Sequence, residues 1–455
     1  MARTVMWFRR DLRLADNPAL RLAVDAARAG PGENGVVPLY VLDPALWGPA
    51  GPSRRAYLVA SLADLGDRIG GWQLRSGDPV DEVVAVAREA GVAEVHVAAD
   101  YGPYGSARDS RVEAALAEHG IALVRTGSPY AVAPGRVTKA DGSPYAVYTP
   151  FWRAWSDHGW RDPVGAPRQV DWVRPAASVD MPTVEQPAGT TLPDAGEQAA
   201  RRRWHAFLAG PIDDYGSDRD RPDLDRTSRM SVHLKWGEIH PRTLLADLAG
   251  RRGESARRYR QELAWREFYA DVLHHHPRSA REYLRGQLAD MDYDQPGARL
   301  DSWREGRTGF PVVDAGMRQL RREGWMHNRV RMIVASFLVK DLHVEWQHGA
   351  RHFLHWLVDG DLASNNHGWQ WVAGSGTDPA PYFRVFNPVT QGRKFDPDGA
   401  YVRRYVDELR DVDGPAVHEP WLLPGGPPNG YPLPIVDHRA ERVEALRRYE
   451  AARAR

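Results

Sequence analysis

The 455-residue sequence contains no cysteine. This absence excludes disulfides, thiolate metal sites and thiol nucleophiles, and it fits a reducing compartment. Lysine is also scarce, since four lysines accompany 56 arginines. With abundant alanine and glycine, that bias indicates a GC-rich genome rather than a function. We therefore expect a cytoplasmic protein without covalent cross-links.

The sequence also lacks an apolar run long enough to cross a membrane, and no signal peptide is recognisable. Basic and acidic residues number 60 each, so the formal net charge is zero. A chain-wide cationic surface for a polyanion is excluded, and any basic surface must be local. Because no Walker A sequence, HExxH motif or paired metal-ligand spacing occurs, we predict no metal site.

The length favours at least two domains, and the first third shows the clearer pattern. Short apolar runs predict strands at 4–8, 36–42, 94–98 and 122–125. Alanine- and leucine-rich stretches between them predict helices at 19–29, 57–69 and 80–89. This alternation predicts an α/β N-terminal domain with a parallel sheet over residues 1–127.

After residue 127 the pattern changes twice. Residues 128–193 mix proline, glycine and single aromatics, which predicts a long interdomain connecting segment. Helical periodicity then dominates residues 194–455, most clearly at 198–209, 257–273 and 316–346. We predict an all-α C-terminal domain there.

One glycine pattern is misleading. Residues Gly30 to Gly35 match the dinucleotide-binding fingerprint, but they follow a predicted helix and precede a predicted strand. The fingerprint needs the opposite order, because it aims a helix N-terminus at a pyrophosphate after a strand. We interpret this segment as a loop.

The stretch richest in candidate site residues is Asp359 to Trp371, with two acids, two asparagines and two tryptophans. Acids and amides can hydrogen-bond the ring edge and sugar hydroxyls of a heteroaromatic cofactor, and tryptophan rings can stack on bases or pass electrons. The alternative is a buried turn whose amides bond to the backbone. The mixture favours a site.

Three other segments add to this picture. Thr227 to Ser231 offers three hydroxyls and a guanidinium before helical sequence, which suits a phosphate or a plain helix cap. Glu262, Trp265 and Arg266 share a helix face, as a heterocycle-reading site or as a surface ion pair beside a buried ring. Asn328 and Met332 are four residues apart, and asparagine is an unusual core partner for methionine.

Taken in order, these blocks resemble the photolyase/cryptochrome family. The motifs that carry the resemblance are Trp7 to Arg13, Thr227 to Ser231, Glu262 to Phe268, Gly324 to Arg329, Asp359 to Trp371, Thr377 to Arg384 and Asn387 to Gly392. They extend over nearly the whole chain. The family has an α/β antenna domain followed by a helical domain that binds FAD without the dinucleotide fingerprint.

The resemblance implies FAD as the cofactor. The matching FAD-contact positions are Tyr215, Thr227, Ser228, Arg229, Met230, Ser231, Glu262, Arg266, Arg331, Asp359, Asp361 and Asn365. It implies that Asp359 pairs with Arg331 beside the isoalloxazine. It also implies that Asp361 reaches the polar edge of the cofactor and that Asn365 faces flavin N5.

The resemblance further implies light-driven splitting of cyclobutane pyrimidine dimers in DNA, as in class I enzymes of the family, with the dimer flipped out of the helix. The matching catalytic positions are Glu262, Trp265, Asn328, Met332, Asn365 and Trp371. The matching DNA contacts are Arg219, Trp265, Asn328, Arg329, Arg384 and Gln391. These local cations suffice where global charge does not.

Two positions depart from the family pattern. The resemblance implies a relay of three tryptophans, but here it comprises Trp369, Trp346 and Tyr293. For the antenna, folate-binding members carry glutamate where this chain has Ser106, whereas Arg54 and Asp100 match deazaflavin-binding relatives. We expect 8-hydroxy-5-deazaflavin, with methenyltetrahydrofolate as the alternative.

Two other functions in the same family remain alternatives. A cryptochrome-like photosensor would share the fold and FAD but signal through partners. A 6-4 photolyase would be expected to carry histidines in the lesion pocket, where this chain has Asn328 and Met332. We expect a monomer that binds damaged DNA, has no membrane partner and associates with the nucleoid.

Overall fold

A computed structural model describes residues 2–29, 34–377 and 383–454. The glycine-rich loop discussed above lies largely outside these residues, as does most of the segment from Thr377 to Arg384. Five strands form the N-terminal sheet: β1 (Ala2–Phe8), β2 (Asn34–Leu42), β3 (Gln73–Ser76), β4 (Glu94–Val97) and β5 (Ala122–Arg125). The helices around it are α1 (Pro18–Ala29), α2 (Pro44–Trp47), α3 (Pro52–Ile69), α4 (Pro79–Glu89) and α5 (Pro103–Ala117).

The sheet has the order β3-β2-β1-β4-β5 and every pairing is parallel. Val5 in β1 pairs with Val37 on one side and with Val95 on the other, and all three are fully buried. Burial on both faces explains the continuous apolar runs of the central strands. The predicted parallel α/β domain is therefore confirmed.

Strand β3 and helix α5 are absent from the sequence prediction. Only two of the four β3 residues, Gln73 and Leu74, are buried, so the strand shows no apolar run. Helix α5 buries Arg108 and Asp109 beside Val112, which blurs its amphipathic pattern. Both elements depend on tertiary contacts more than on local signal.

The connecting segment contains a helix that the sequence did not indicate, α6 (Tyr148–His158). Its buried residues Tyr148, Phe151 and Trp155 join a core cluster with the helical domain. The Trp155 indole donates to the Glu267 carboxylate at 2.6 Å. The segment is thus partly structural and contributes aromatic rings to the second domain.

Thirteen further α-helices follow in the described chain. They are α7 (Glu197–Leu208), α8 (Tyr215–Asp218), α9 (Met230–Trp236), α10 (Pro241–Leu248), α11 (Glu254–His275), α12 (Ala298–Glu305), α13 (Pro311–Glu323), α14 (Asn328–Lys340), α15 (Trp346–Trp356), α16 (Leu362–Ala373), α17 (Pro388–Phe395), α18 (Ala400–Tyr405) and α19 (His438–Arg453). Short 3-10 helices occupy Pro277–Ala280, Gly286–Leu288, Asp407–Leu409, Gly414–His418, Pro420–Leu422 and Pro428–Gly430. The predicted all-α domain is confirmed, and no helix in the described ranges has the length and hydropathy for a bilayer crossing.

The continuous helical stretch predicted over 316–346 is wrong in one respect, because it is interrupted twice. Gly324 ends α13 with a left-handed φ of 59°, where a side chain would be strained. His327 then caps α14, its ring accepting from the backbone N–H of Arg329. The second interruption, at residues 341–345, separates α14 from α15. After these breaks α14 and α16 pack against each other, and together they carry seven of the candidate site residues: Asn328, Arg329, Arg331, Met332, Asn365, Trp369 and Trp371.

Candidate functional site

Arg331 on α14 and Asp359, in the turn before α16, form the buried ion pair that the resemblance implied. Arg331 Nη2 lies 2.8 Å from Asp359 Oδ2, and Arg331 Nε donates to the Met326 carbonyl at 2.8 Å. The Asp359 side chain is 1% exposed. Its second oxygen, Oδ1, is buried and has no partner among the described residues. Because buried polar atoms normally have a hydrogen-bond partner, this free acceptor is available to a bound ligand.

Asp361 caps α16 by accepting from the Ser364 backbone N–H at 3.1 Å, and its other oxygen accepts from Arg10 Nη2 at 2.7 Å. Burial alone would raise the pKa of Asp361, but Arg10 and Lys235 hold it well below its ordinary value. The carboxylate is therefore permanently ionised. Arg10 and Lys235 belong to this site, although sequence reasoning did not single them out.

Hydroxyls from residues 215–231 form a second polar surface. The Ser228 hydroxyl lies 2.8 Å from Tyr259 Oη, and the Ser231 hydroxyl accepts from the Trp325 indole at 3.3 Å. Thr227 Oγ1 is buried without a partner among the described residues. Tyr215 is buried, with its ring 5.2 Å from that of Tyr259. These hydroxyls can bond a phosphate or a ribityl chain.

Arg229 and Met230, two predicted cofactor contacts, have protein partners. Arg229 has a left-handed φ of 54° and forms ion pairs with Asp225 at 2.7 Å and Glu323 at 2.9 Å. Met230 is 1% exposed. Arg266, a third predicted contact, donates to the Pro129 carbonyl at 2.9 Å. In this structure Arg229 bonds to side-chain carboxylates, Met230 is buried and Arg266 bonds to the backbone.

The remaining donors fit FAD. Asn365 donates from Nδ2 to the Ala350 carbonyl at 3.1 Å and to Asn366 Oδ1 at 2.8 Å, which leaves its amide oxygen for a ligand. Asp359 Oδ1 and Thr227 Oγ1 are also without partners among the described residues. The Asp359 carboxylate and the Asn365 amide oxygen can accept from ring N–H groups, and the Thr227 hydroxyl can bond a phosphate. That is the donor and acceptor pattern of a flavin dinucleotide.

A cavity of about 390 Å³ lies beside α14. Its lining residues are Asp220, Arg329, Met332, Trp371, Arg384, Phe386, Gln391, Lys394 and Phe395. Five of these were predicted site residues, whereas Asp220, Phe386, Lys394 and Phe395 were not. Lys394 could have been noticed, since it is one of only four lysines and directly precedes a phenylalanine. We call this cavity the α14 cavity.

The other predicted lesion contacts are not among the lining residues of the α14 cavity. Glu262 on α11 accepts from Arg219 Nη1 at 2.6 Å. Burial raises the pKa of Glu262, and Arg219 partly offsets that rise. Trp265 stacks face to face on Tyr148, with ring centroids 3.6 Å apart and planes 8° apart. Asn328, the first residue of α14, is exposed.

Cations surround the mouth of the α14 cavity. Arg329 Nη2 lies 3.0 Å from Asp220, and the Arg329 guanidinium lies 4.6 Å from the Phe395 ring centre. Arg384 is exposed, and its backbone carbonyl accepts from the buried Lys340 ammonium. The mouth is therefore locally basic on a chain of zero net charge.

The predicted electron relay is only partly reflected in ring contacts. Trp369 on α16 lies edge-on to Phe353 at 5.0 Å and to Trp303 at 6.1 Å. Trp346, at the start of α15, is fully buried and contacts the Tyr283 ring at 6.0 Å. Sequence reasoning missed Tyr283, which no motif contains.

The two predicted antenna residues have different surroundings. Asp100 lines a cavity of about 790 Å³ between the two domains, which we call the interdomain cavity. Arg54 is not among its lining residues; its Nη1 donates to the Leu354 carbonyl at 3.0 Å. Burial lowers the pKa of Arg54 to about 10. Both residues act electrostatically on Lys235, whose pKa is lowered by burial and by Arg10 and Arg54 and is raised in part by Asp361 and Asp100.

The sequence matches two family models, "DNA photolyase" over residues 4–168 and "FAD binding domain of DNA photolyase" over residues 259–451. It is 42% identical to the deoxyribodipyrimidine photo-lyase of Streptomyces griseus, over 100% of this chain and 99% of that protein. A class III photolyase structure from Agrobacterium tumefaciens superposes with a TM-score of 0.93 at 36% identity, covering 100% of this chain and 98% of the other. An archaeal photolyase from Sulfolobus tokodaii with two FAD molecules gives a TM-score of 0.84 at 29% identity, covering 99% of this chain and 100% of the other.

Proposed function

The chain belongs to the DNA photolyase family, and we propose that its activity is the light-driven splitting of cyclobutane pyrimidine dimers in DNA. The observation that carries this proposal is the arrangement around α14. One side of the helix presents Arg331 to the buried Asp359, and the next residue, Met332, lines the α14 cavity. A cofactor held at Asp359 and a base held at Met332 would share the same helical wall.

FAD fits the first side of this wall. Asp359, Asn365 and the hydroxyls of Thr227, Ser228 and Ser231 would hold it, and Arg331 keeps Asp359 in position. When bound in its reduced form, FAD supplies the electron that opens the cyclobutane ring after absorbing light. The protein's own part is to orient the cofactor and to keep water from it.

The α14 cavity fits a flipped pyrimidine dimer. Met332, Trp371 and Phe395 offer apolar faces, on which bases stack. Glu262 and Asn328 do not line the cavity, but Arg219 joins Glu262 at 2.6 Å to the lining residue Asp220 at 4.0 Å, and Asn328 directly precedes the lining residue Arg329. From these positions they would offer polar atoms to the pyrimidine carbonyl and N–H edges. In the free protein Glu262 is paired with Arg219 at 2.6 Å, so an approaching DNA phosphate can attract Arg219 while the pyrimidine edge takes its place.

DNA strands flanking the dimer meet the cations at the mouth. Arg329, Arg384 and Lys394 neutralise phosphates, and Gln391 hydrogen-bonds them. Flipping costs a few kcal/mol and costs least for a damaged base, so the lesion itself provides selectivity. We place the protein in the cytoplasm, associated with the nucleoid as a monomer.

For the antenna we propose 8-hydroxy-5-deazaflavin, with Arg54 and Asp100 among its contacts; both residues also act electrostatically on the buried Lys235. Protein produced with a deazaflavin source should gain a visible absorption band that protein produced without it lacks. A folate-like near-ultraviolet band would favour methenyltetrahydrofolate instead. Asp100→Asn should weaken the deazaflavin band and leave flavin absorption unchanged.

Repair of a dimer-containing oligonucleotide under blue light tests the proposed function directly. Chemically reduced protein should restore the undamaged oligonucleotide in the light and leave the dimer intact in the dark. A protein that binds FAD but repairs nothing would instead support a cryptochrome-like photosensor. Repair of a 6-4 photoproduct alone would contradict the cyclobutane assignment.

A further inference from the structure

Trp346, Tyr283 and Glu345 form a connected group that the proposed repair chemistry does not use. Tyr283 lies between the 3-10 helices Pro277–Ala280 and Gly286–Leu288, and Glu345 directly precedes Trp346 at the start of α15. The Tyr283 and Trp346 rings meet edge to face, with centroids 6.0 Å apart and planes at 87°. Tyr283 Oη donates to Glu345 Oε1 at 2.9 Å.

The hydrogen-bond partners in this group differ in their ability to accept a proton. Trp346 Nε1 is buried and has no acceptor among the described residues. The phenol of Tyr293, the predicted outer relay residue, donates to the Leu288 backbone carbonyl at 3.1 Å and is also hydrogen-bonded to the Tyr283 phenol, but it makes no hydrogen bond to a carboxylate of the described chain. A peptide carbonyl is not a base at neutral pH, whereas the carboxylate that faces Tyr283 is one.

This difference matters for oxidation. An oxidised phenol sheds its proton, so a tyrosine gives up an electron readily only where a base receives that proton. An oxidised indole at Trp346 cannot transfer its proton to a described protein group, so the charge stays mobile until it reaches a ring that can. Tyr283 touches Trp346 and carries such a base.

We propose that Tyr283, with Glu345 as its proton acceptor, is the residue on which an oxidising equivalent leaving Trp346 comes to rest. One electron passes from the Tyr283 ring to the oxidised indole of Trp346, which is thereby restored. The phenolic proton passes to Glu345 Oε1, leaving a neutral tyrosyl radical and a neutral carboxylic acid. An added thiol then donates a hydrogen atom to Tyr283, and Glu345 returns its proton to solvent.

The inference rests on the proposed function, because the oxidant that starts the sequence is light-excited, oxidised flavin. It replaces Tyr293 at the end of the predicted relay. Burial raises the pKa of Tyr283, and Tyr293 and Glu345 raise it further, so the phenol starts out protonated at neutral pH. Tyr283 is also only partly buried, which allows a thiol to reach it.

Transient absorption and electron paramagnetic resonance on the FAD-loaded, oxidised protein test the proposal. The wild type should form a neutral tyrosyl radical, and its formation should slow in D2O because a proton moves with the electron. Tyr283→Phe should lose the tyrosyl signal and leave a tryptophanyl signal. Tyr293→Phe, the matched control on the neighbouring phenol, should keep the tyrosyl signal.

Glu345→Gln keeps a hydrogen-bond acceptor but removes the base, so it should also lose the tyrosyl signal. A tyrosyl radical that survives Tyr283→Phe and disappears in Tyr293→Phe would overturn the proposal. So would a wild type that shows only a long-lived tryptophanyl radical. Dimer repair by chemically reduced wild-type protein needs no relay, so its failure would count against the proposed function and not against Tyr283.

Discussion

The interdomain cavity and the α14 cavity differ in how their charge is arranged. The interdomain cavity of about 790 Å³ has ionisable groups throughout its wall, including Asp100, Asp109, Arg136, Arg161 and Arg242. The α14 cavity of about 390 Å³ has rings and a thioether in its wall and groups its charges as one acid and three cations. A wall rich in donors and acceptors suits a polar ligand, because buried polar groups need hydrogen-bond partners.

An apolar wall suits a ligand that must enter and leave. Met332, Trp371, Phe386 and Phe395 lose little hydration when a base arrives, so flipping need not compete with the desolvation of buried charges. The cations remain where water reaches them and where phosphates pass. This arrangement indicates that base stacking on the rings and phosphate contacts with the cations supply the binding energy at the α14 cavity.

The largest expected effect comes from the ion pair between Arg331 and the buried Asp359. Arg331→Met leaves the Asp359 carboxylate, 1% exposed, without its partner. Breaking a buried pair in this way costs about 3–5 kcal/mol. Urea unfolding of the variant should show this loss together with weaker FAD retention. The double variant Arg331→Met/Asp359→Leu should recover part of the stability, and no recovery would contradict a charge-based explanation.

The next effect separates polar recognition from stacking. Glu262→Ala should weaken binding of a dimer-containing oligonucleotide by about 1–3 kcal/mol, because a pyrimidine edge loses its partner. Binding in the dark by fluorescence anisotropy measures this change. Glu254→Ala is the matched control, since Glu254 is an exposed member of surface ion pairs on the same helix, α11. Equal affinity for both variants would remove Glu262 from the lesion contacts.

A smaller effect concerns the support of the rim. Burial lowers the pKa of Lys340 from its ordinary 10.5 to about 7, and its ammonium donates to the Arg384 carbonyl. Between those pH values the unfolded chain binds more protons than the folded one, so the free energy of unfolding rises with pH, by at most about 1.4 kcal/mol per pH unit. Lys340→Met should flatten this slope in urea titrations from pH 7 to 9. An unchanged slope would show that Lys340 titrates normally.

The smallest effect tests the rim itself. The slope of log K for DNA binding against log salt concentration should become shallower by about one in Arg384→Ala, because one phosphate contact is lost. The change should be the same for damaged and undamaged DNA. Arg136→Ala in the interdomain cavity removes an equal charge and should leave the slope unaltered. A lower slope in both variants would mean that DNA also reaches the interdomain cavity.

Local patterns predicted much of this molecule. Strands β1, β2, β4 and β5 and helices α1, α4, α7 and α11 lie close to the positions that their apolar periodicity indicated. Five residues taken from the motifs line the α14 cavity, and Arg331 meets Asp359. The roles of the individual site residues stay predictions until variants are measured. Helix α6 was missed because its signal is aromatic packing against α11, which a local window does not contain.

The sequence by itself determined the two-domain plan, the family, FAD as cofactor and the residue types of the site, because each depends on periodicity or on contiguous motifs. Only the tertiary structure decided which distant residues meet. Arg10 reaches Asp361 across 351 positions, Tyr148 stacks on Trp265, and Tyr283 joins Trp346 and Glu345. Hydrogen bonds and ring contacts act over a few ångströms in space. The number of residues between two positions in the sequence does not tell how far apart they lie in the folded chain.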